Sequence, residues 1–280
     1  MSGIIPNNGY LMIIGAMKCG TSSLYHLLAQ HPEVCPASRK EAEYFSENQG
    51  RGAEVDRYED LWKFDSSVHK YAIEASTGYT KYSSELNVSK NIWNYGIRPK
   101  FIYIIRDPFE RIESQYNFLK NKGELHCDID SNHFIELSNY YLQLEQYLEY
   151  FPKEDILLVD FDDFKSDPKS VLTKAYQFLE ISGDFFPENY KVRNVTNLES
   201  NLVRRLRKLR RSTFKTLFDM LPLFVTNMGK NLLSRTPTPK KRILSDSERL
   251  LVHNKLDSSM IKLRNEFGIN VEKWGFTDLE

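Results

Sequence analysis

Lys18 lies within Gly15-Ala-Met-Lys-Cys-Gly20 and directly precedes the run Cys19-Gly20-Thr21-Ser22-Ser23. A mobile cation, a glycine-bounded turn and three consecutive hydroxyl residues are the parts of an anion site. Such a turn directs backbone N–H groups at one point, and a helix starting there adds the positive end of its dipole. Phosphate is the anion that suits it best. In a nucleoside triphosphatase the loop reads G-x-x-x-x-G-K-[ST], with lysine beside the hydroxyl that holds Mg²⁺. Here the order is G-x-x-K-x-G-T-S, so Lys18 stands two residues before Gly20. That placement suits a bridging oxygen on a 5′-phosphate group. The plain alternative is an ordinary strand–helix turn that carries a lysine. Cys19 reads as a small residue in a tight loop; the other reading is a thiol whose pKa is lowered at a helix start.

Arg106 is the second candidate. An apolar run, Phe101-Ile-Tyr-Ile-Ile105, ends in Arg106-Asp107-Pro108. Aspartate before proline signals an N-cap and the first helical position. Arg106 thus falls at the carboxyl end of a strand, where open α/β sheets bind ligands. Its planar guanidinium suits a phosphate dianion. Ser114 lies about two turns into the following helix, and it shares a phosphate with Arg106 only if the ligand runs back along that helix. A structural ion pair is the equal alternative for Arg106. A third cluster is Arg39-Lys40-Glu41-Ala-Glu43-Tyr-Phe45. Taken alone it is a charged surface run, although a carboxylate there can accept a proton from a hydroxyl nucleophile.

These residues need elements to hold them. Short apolar runs predict strands at 11–14, 71–74, 101–105 and 156–161. Helical periodicity and start signals predict helices at 21–30, 108–121, 133–150, 168–179, 198–221 and 245–267. Asp167-Pro168 repeats the capped-proline start, and Ser245-Asp-Ser-Glu248 has the spacing of a capping box. The alternation predicts an α/β fold: an open parallel sheet flanked by helices, with a helical C-terminal part. We expect one domain over 1–280, with a core at about 9–190 and a basic helical portion at about 191–280.

Composition is that of a soluble globular chain: 280 residues, 41% hydrophobic and 27% charged. No apolar run approaches the ~20 residues that span a bilayer, and the N-terminus lacks the basic and apolar regions of a signal peptide. Cys19, Cys35 and Cys127 suggest neither a disulfide framework nor a zinc site. A cytoplasmic location is the expectation. Net charge is zero, but from Lys191 to Arg242 fourteen Lys and Arg face only Glu199 and Asp219. The local charge of +12 leaves −12 on the remainder. The stretch 201–221 reads as an amphipathic helix with an arginine face, either solvated or facing an anionic acceptor or a membrane surface. No nucleic-acid partner is expected.

Two of these segments resemble a known family. Ile14-Gly-Ala-Met-Lys-Cys-Gly-Thr-Ser-Ser-Leu24 and Ile105-Arg-Asp-Pro-Phe-Glu-Arg111 through Ser114, ~90 residues apart and in this order, are similar to the nucleotide motifs of sulfotransferases that use 3′-phosphoadenosine-5′-phosphosulfate (PAPS). The wording looks most like the carbohydrate branch, which includes heparan-sulfate and many bacterial enzymes. Weaker likeness extends through 160–168 to Trp274.

The resemblance implies a metal-free sulfuryl transfer from PAPS to a hydroxyl, on a carbohydrate acceptor. It implies that Lys18, Cys19, Gly20, Thr21, Ser22 and Ser23 hold the 5′-phosphosulfate, that Arg106 and Ser114 hold the 3′-phosphate, and that Arg193 closes over the nucleotide. It implies Glu41 as catalytic base, with Glu43 the fallback, and Lys18 as the cation at the transferring group. The chain departs from the pattern at Glu74-Ala-Ser-Thr77, where heparan-type relatives often carry a lysine in place of Ala75. Two rivals stand beside this reading. One is a metal-dependent P-loop kinase, with Ile156-Leu-Leu-Val-Asp160 imitating a Walker B strand. The other is a non-enzymatic nucleotide fold whose basic helix docks on anionic surfaces.

Overall fold

Val-, Ile- and Leu-rich runs buried on both faces are what a parallel sheet demands, because its crossover helices cover both sides. The sheet has five strands: β1 (Tyr10–Gly15), β2 (Val34–Pro36), β3 (Tyr71–Ala75), β4 (Lys100–Ile105) and β5 (Ile156–Asp160). The computed structural model describes residues 4–47, 55–187 and 240–277. All pairings are parallel, in the order β2-β3-β1-β4-β5. From β1 the chain winds first toward β3 and later to β4 on the other side. The strand order therefore reverses between β1 and β4, and a crevice opens at their carboxyl ends.

The strands expected at 11–14, 71–74 and 101–105 are present, each a residue or two longer. The fourth ends one residue early. Asp160 accepts a hydrogen bond from the Asp162 N–H at 2.8 Å, and this cap turns Phe161 into the helix α6 (Phe161–Ser166). Edge strand β2 was not foreseen: three residues ending in proline carry almost no periodic signal, and an edge tolerates the missing N–H.

Helix starts follow the sequence closely. α1 (Thr21–Leu28) begins at the expected residue and stops two short of the expected end. Asp107 caps α3 (Pro108–Lys122) by accepting from Phe109 N–H at 2.7 Å and Glu110 N–H at 3.1 Å. Asp167 caps α7 (Pro168–Leu179). Ser245 and Glu248 form the expected capping box at the head of the C-terminal helix, Asp246–Phe267, called α8 below. The single helix expected at 133–150 is instead two, α4 (Asn132–Glu136) and α5 (Tyr140–Leu148), because Asn139 caps a fresh start by accepting from Leu142 N–H. One further helix, α2 (Val88–Tyr95), had no strong signal in the sequence.

The core is continuous from β1 to Phe276, where the ring of Phe276 stacks on Phe109 at 5.8 Å. The C-terminal segment is also fastened by Lys273 to Asp160 at 2.7 Å, so it closes against the end of β5. Among the described residues no helix is long and apolar enough to cross a membrane. The helix expected at 198–221, Arg193 and most of the basic 191–242 stretch lie outside the described residues.

Candidate functional site

The chain leaves β1 through a register shift between Ile13 and Gly15. It enters a loop that only small or positive-φ residues allow. Gly20 has φ 89°, and a Cβ there would come within 2.7 Å of the Phe161 ring. Gly15 packs so closely on Thr80 that a Cβ would meet its hydroxyl oxygen at 2.0 Å. Thr80 in turn donates to Ile14 O at 2.9 Å. Gly20 is the N-cap of α1 and offers no side chain, while the first turn carries no acid. The N–H groups of Thr21 and Ser22 have no carbonyl one turn earlier. The helix end is thus open to an anion.

The expected loop residues divide by role. Cys19 is fully buried, its N–H donates to Ala16 O at 3.2 Å, and burial pushes its thiol up to about 11. It shapes the turn, and the low-pKa reading falls. The side chains of Thr21 and Ser23 are buried. Thr21 can offer an anion its backbone N–H, whereas the N–H of Ser23 already donates to Gly20 O at 2.9 Å. Ser22 is partly open, and its hydroxyl accepts a hydrogen bond from Lys40 at 2.8 Å.

Lys18 holds φ 72° and reaches across to α3, with its amino group 4.1 Å from the centre of the Phe118 ring. Burial lowers its pKa to about 8, and the charges of Arg106, Lys122 and Arg111 add to the effect against the pull of Cys19. Lys122 covers the same ring at 4.6 Å. Arg106 emerges from the end of β4 at the reversal point. Its Nη1 donates to Lys18 O at 3.4 Å, its Nη2 pairs with Glu110, and its guanidinium lies 5.1 Å from the Phe161 ring. Its Nε is buried with no hydrogen-bond partner among the described residues.

Glu110, Ser114 and Phe118 follow each other at intervals of four, along one face of α3. Arg106 lies on the first and Lys18 on the last. Ser114 falls between them, so a ligand touching Arg106 and Lys18 spans the face that Ser114 occupies.

Lys40 and Glu41 lie beside the first turn of α1. Lys40 Nζ bonds Glu41 Oε1 at 2.9 Å as well as Ser22. The Glu41 side chain keeps 39% exposure. Its N–H donates to Ala75 O at 3.0 Å, which sets the loop beside the end of β3. Glu43 is different. Only 3% exposed, it accepts from Gly78 N–H at 2.9 Å and the Ser46 hydroxyl at 2.8 Å. A Cβ on Gly78 would lie 2.0 Å from its Oε2. Burial pushes its carboxyl up despite these bonds. Of the two candidate bases, Glu41 faces solvent and Glu43 is built into the wall.

Ser76 is fully buried against Glu74 and Thr77 is nearly so, so neither opens into the crevice. Two cations near the site escaped the sequence reading. Arg111 is 1% exposed and hydrogen-bonds the Ser138 hydroxyl at 2.8 Å. Lys81 follows Thr80, and burial lowers its pKa while Glu43 and Glu41 pull it back up. The Arg-Asp-Pro-x-x-Arg spacing hinted at Arg111. Nothing local hinted at Lys81, since tertiary folding alone brings it to the two glutamates.

Asp160, the metal-binding residue of the kinase rival, is engaged twice: it caps α6 and pairs with Lys273. Among the described residues no group of three or more His, Cys, Asp or Glu is arranged to hold a metal.

Comparison with known proteins agrees with this architecture. The sulfotransferase domain family matches residues 9–216. Human heparan sulfate glucosamine 3-O-sulfotransferase 5 is 28% identical over 187 residues, covering 61% of this chain and 53% of its own length. The membrane-associated sulfotransferase kil1 of Dictyostelium discoideum is 23% identical over 295 residues, covering 70% of this chain and 61% of its own. The chain thus spans about half the length of the first of these relatives. Among solved structures, a sulfotransferase from Alicyclobacillus acidocaldarius superposes with a TM-score of 0.56 at 23% identity, over 72% of this chain and 90% of that one. Mouse SULT7A1, complexed with PAP, gives 0.51 at 14% identity, over 96% and 89%. These two likenesses establish the fold, and the family match establishes more: over 9–216 of its 280 residues the chain belongs to the sulfotransferase domain family.

Proposed function

We propose that this chain moves a sulfuryl group from PAPS to a hydroxyl of a carbohydrate acceptor. The observation that carries the reading is that Lys18, Arg106 and the uncapped head of α1 lie together at the carboxyl ends of β1 and β4, with Lys40 tying Glu41 to Ser22 in the first turn of that helix. A nucleotide with two anionic groups, one at each end of its ribose, suits these residues. Arg106 has a buried Nε without a hydrogen-bond partner among the described residues, and Gly20 takes the positive φ that lets the loop turn beneath the Phe161 ring. PAPS supplies an activated sulfur whose bond to the phosphate oxygen breaks as the acceptor oxygen bonds to it.

The residues of the chain do the remainder. Arg106 and Ser114 bind the 3′-phosphate. The N–H groups at 21 and 22 with Lys18 stabilise charge growing on the departing phosphate oxygen. Glu41 takes the acceptor proton as the new S–O bond forms. Lys40 keeps that carboxylate beside the loop. The carbohydrate class rests on the likeness to heparan sulfate glucosamine 3-O-sulfotransferase 5. The cytosol belongs to the same proposal, and all three cysteines are free thiols.

The test is a panel of carbohydrate and phenolic acceptors with ³⁵S-labelled PAPS, run with and without EDTA. Labelled carbohydrate formed in both conditions is expected. Transfer only to phenols would overturn the acceptor class, and loss of transfer with EDTA would overturn the metal-free reading.

A further inference from the structure

Glu74 is a buried carboxylate that the proposed chemistry does not use. It projects from β3 with no exposure, and no cation pairs with it among the described residues. Three hydroxyls surround it instead. Tyr58 donates to its Oε1 at 2.7 Å and Ser76 to its Oε2 at 2.9 Å, and the Tyr79 hydroxyl also hydrogen-bonds it. Burial raises this carboxyl to about 7, so above neutral pH it is ionised and only accepts, and each of these hydroxyls then turns its proton inward.

That orientation has a consequence on the other side of each oxygen. The Ser76 oxygen accepts the N–H of Glu43 at 3.0 Å, and the Tyr79 oxygen accepts the N–H of Phe45 at 3.4 Å. The N–H of Glu41 goes to Ala75 O. Every second N–H from 41 to 45 therefore docks on the segment 75–79, and two of the three acceptors are hydroxyls held by Glu74. Gly78 N–H closes the same interface from the other side by donating to Glu43.

We propose that Glu74 is a positioning residue: by taking the protons of Ser76 and Tyr79 it turns their oxygens toward the 41–45 segment and so sets where Glu41 stands. The inference rests on the reading of Glu41 as proton acceptor. A glutamine in its place carries an amide that donates, so at least one hydroxyl must reverse and lose its hold on a partner. Misplacement of a catalytic group by about 1 Å can cost ~10²-fold in rate.

The competing account is that the Phe45 ring alone holds the segment, packed 4.7 Å from Tyr58 and 5.5 Å from Tyr95. The experiment compares the full chain with Glu74→Gln and Ser76→Ala at pH 8, where the Glu74 carboxyl is ionised. It measures amide hydrogen exchange at Glu43 and Phe45, affinity for adenosine 3′,5′-bisphosphate, and kcat. We expect faster exchange at Glu43 in both variants, at Phe45 in Glu74→Gln, nucleotide affinity within about twofold and kcat lower by ~10-fold or more. Unchanged exchange would overturn the proposal in favour of ring packing. So would normal kcat despite faster exchange. Glu41→Gln run in parallel separates the two readings: if it transfers normally the base assignment falls alone, and the exchange rates still decide whether Glu74 holds the segment.

Discussion

Lys40 Nζ stands 2.8 Å from Ser22 Oγ, so the segment bearing Glu41 is tied to the first turn of the helix that closes the anion loop. The same amino group bonds Glu41 at 2.9 Å. One cation therefore spans from the proposed base to the proposed phosphosulfate site. Lys40→Met keeps the aliphatic stem and removes both bonds. We expect kcat to fall by ~10-fold or more, as for loss of a charge-assisted contact of about 1.5–3 kcal/mol, with a smaller loss of nucleotide affinity. Steady-state kinetics and calorimetry measure the two. Wild-type values in both would mean the bridge is a surface pair.

Lys18 makes the loop's charge sensitive to pH. Its pKa is down to about 8, chiefly by burial, so the free protein carries less charge there as pH rises through 8. An anionic nucleotide binds the protonated form better. Affinity for adenosine 3′,5′-bisphosphate should therefore decline between pH 7 and 9. Lys18→Arg, charged throughout, should lack that decline, and Lys18→Ala should lower turnover by ~10²–10³-fold. A pH-independent affinity in the wild type would remove Lys18 from the site.

How far these roles could be read in advance depended on locality. Lys18, Gly20 and Arg106 sit at strand ends whose apolar runs and caps are continuous in sequence, and the fold placed them where those signals pointed. The choice between Glu41 and Glu43 is not local. Both have positive φ, and Gly78, thirty-five residues beyond Glu43, decides that Glu43 is buried. Arg111, Lys81 and Glu74 gain their surroundings only when β3, α3 and the 41–45 segment pack together. The break between α4 and α5 turned on the single cap at Asn139, which helical periodicity overran.

The second phosphate should be read by Arg106. Its Nη2 is held by Glu110, a pair that a phosphate binding to the same guanidinium has to share or displace. The 3′,5′-bisphosphate should bind at least ~10-fold more tightly than 5′-AMP, in line with a charged hydrogen bond. Arg106→Ala should erase that difference while leaving 5′-AMP nearly unchanged. Equal binding of the two ligands by the wild type would remove the basis for the 3′-phosphate assignment.

Glu41 and Glu43 should fail in different ways. Glu41→Gln keeps the contact with Lys40 but cannot take a proton, so transfer should fall ~10²–10⁴-fold at unchanged thermal stability. Glu43→Gln cannot accept from both Gly78 N–H and Ser46 with its amide nitrogen in place. It should lower stability by about 1–3 kcal/mol and affect transfer much less. Kinetics and thermal unfolding on both variants decide. A dead Glu43→Gln beside an active Glu41→Gln would move the base two residues along.

Glu74 links position to stability. Burial raises its pKa from 4.5 to about 7, against the pull of the hydroxyls of Tyr58, Tyr79 and Ser76. Folding thus favours its protonated form. The stability it contributes is complete below about pH 4.5 and is lost as pH rises through about 7. The slope is at most ~1.4 kcal/mol per pH unit within that window. Glu74→Gln lacks the titration, so its stability relative to the wild type should improve from pH 5 to pH 7 and then level off. Urea unfolding of both proteins across that range tests this, and parallel curves would mean Glu74 is not held protonated by the fold. At pH 8 the variant should be at its most favourable relative stability and still be slow. That pairing separates a displaced Glu41 from a damaged fold, because damage would lower stability and turnover together.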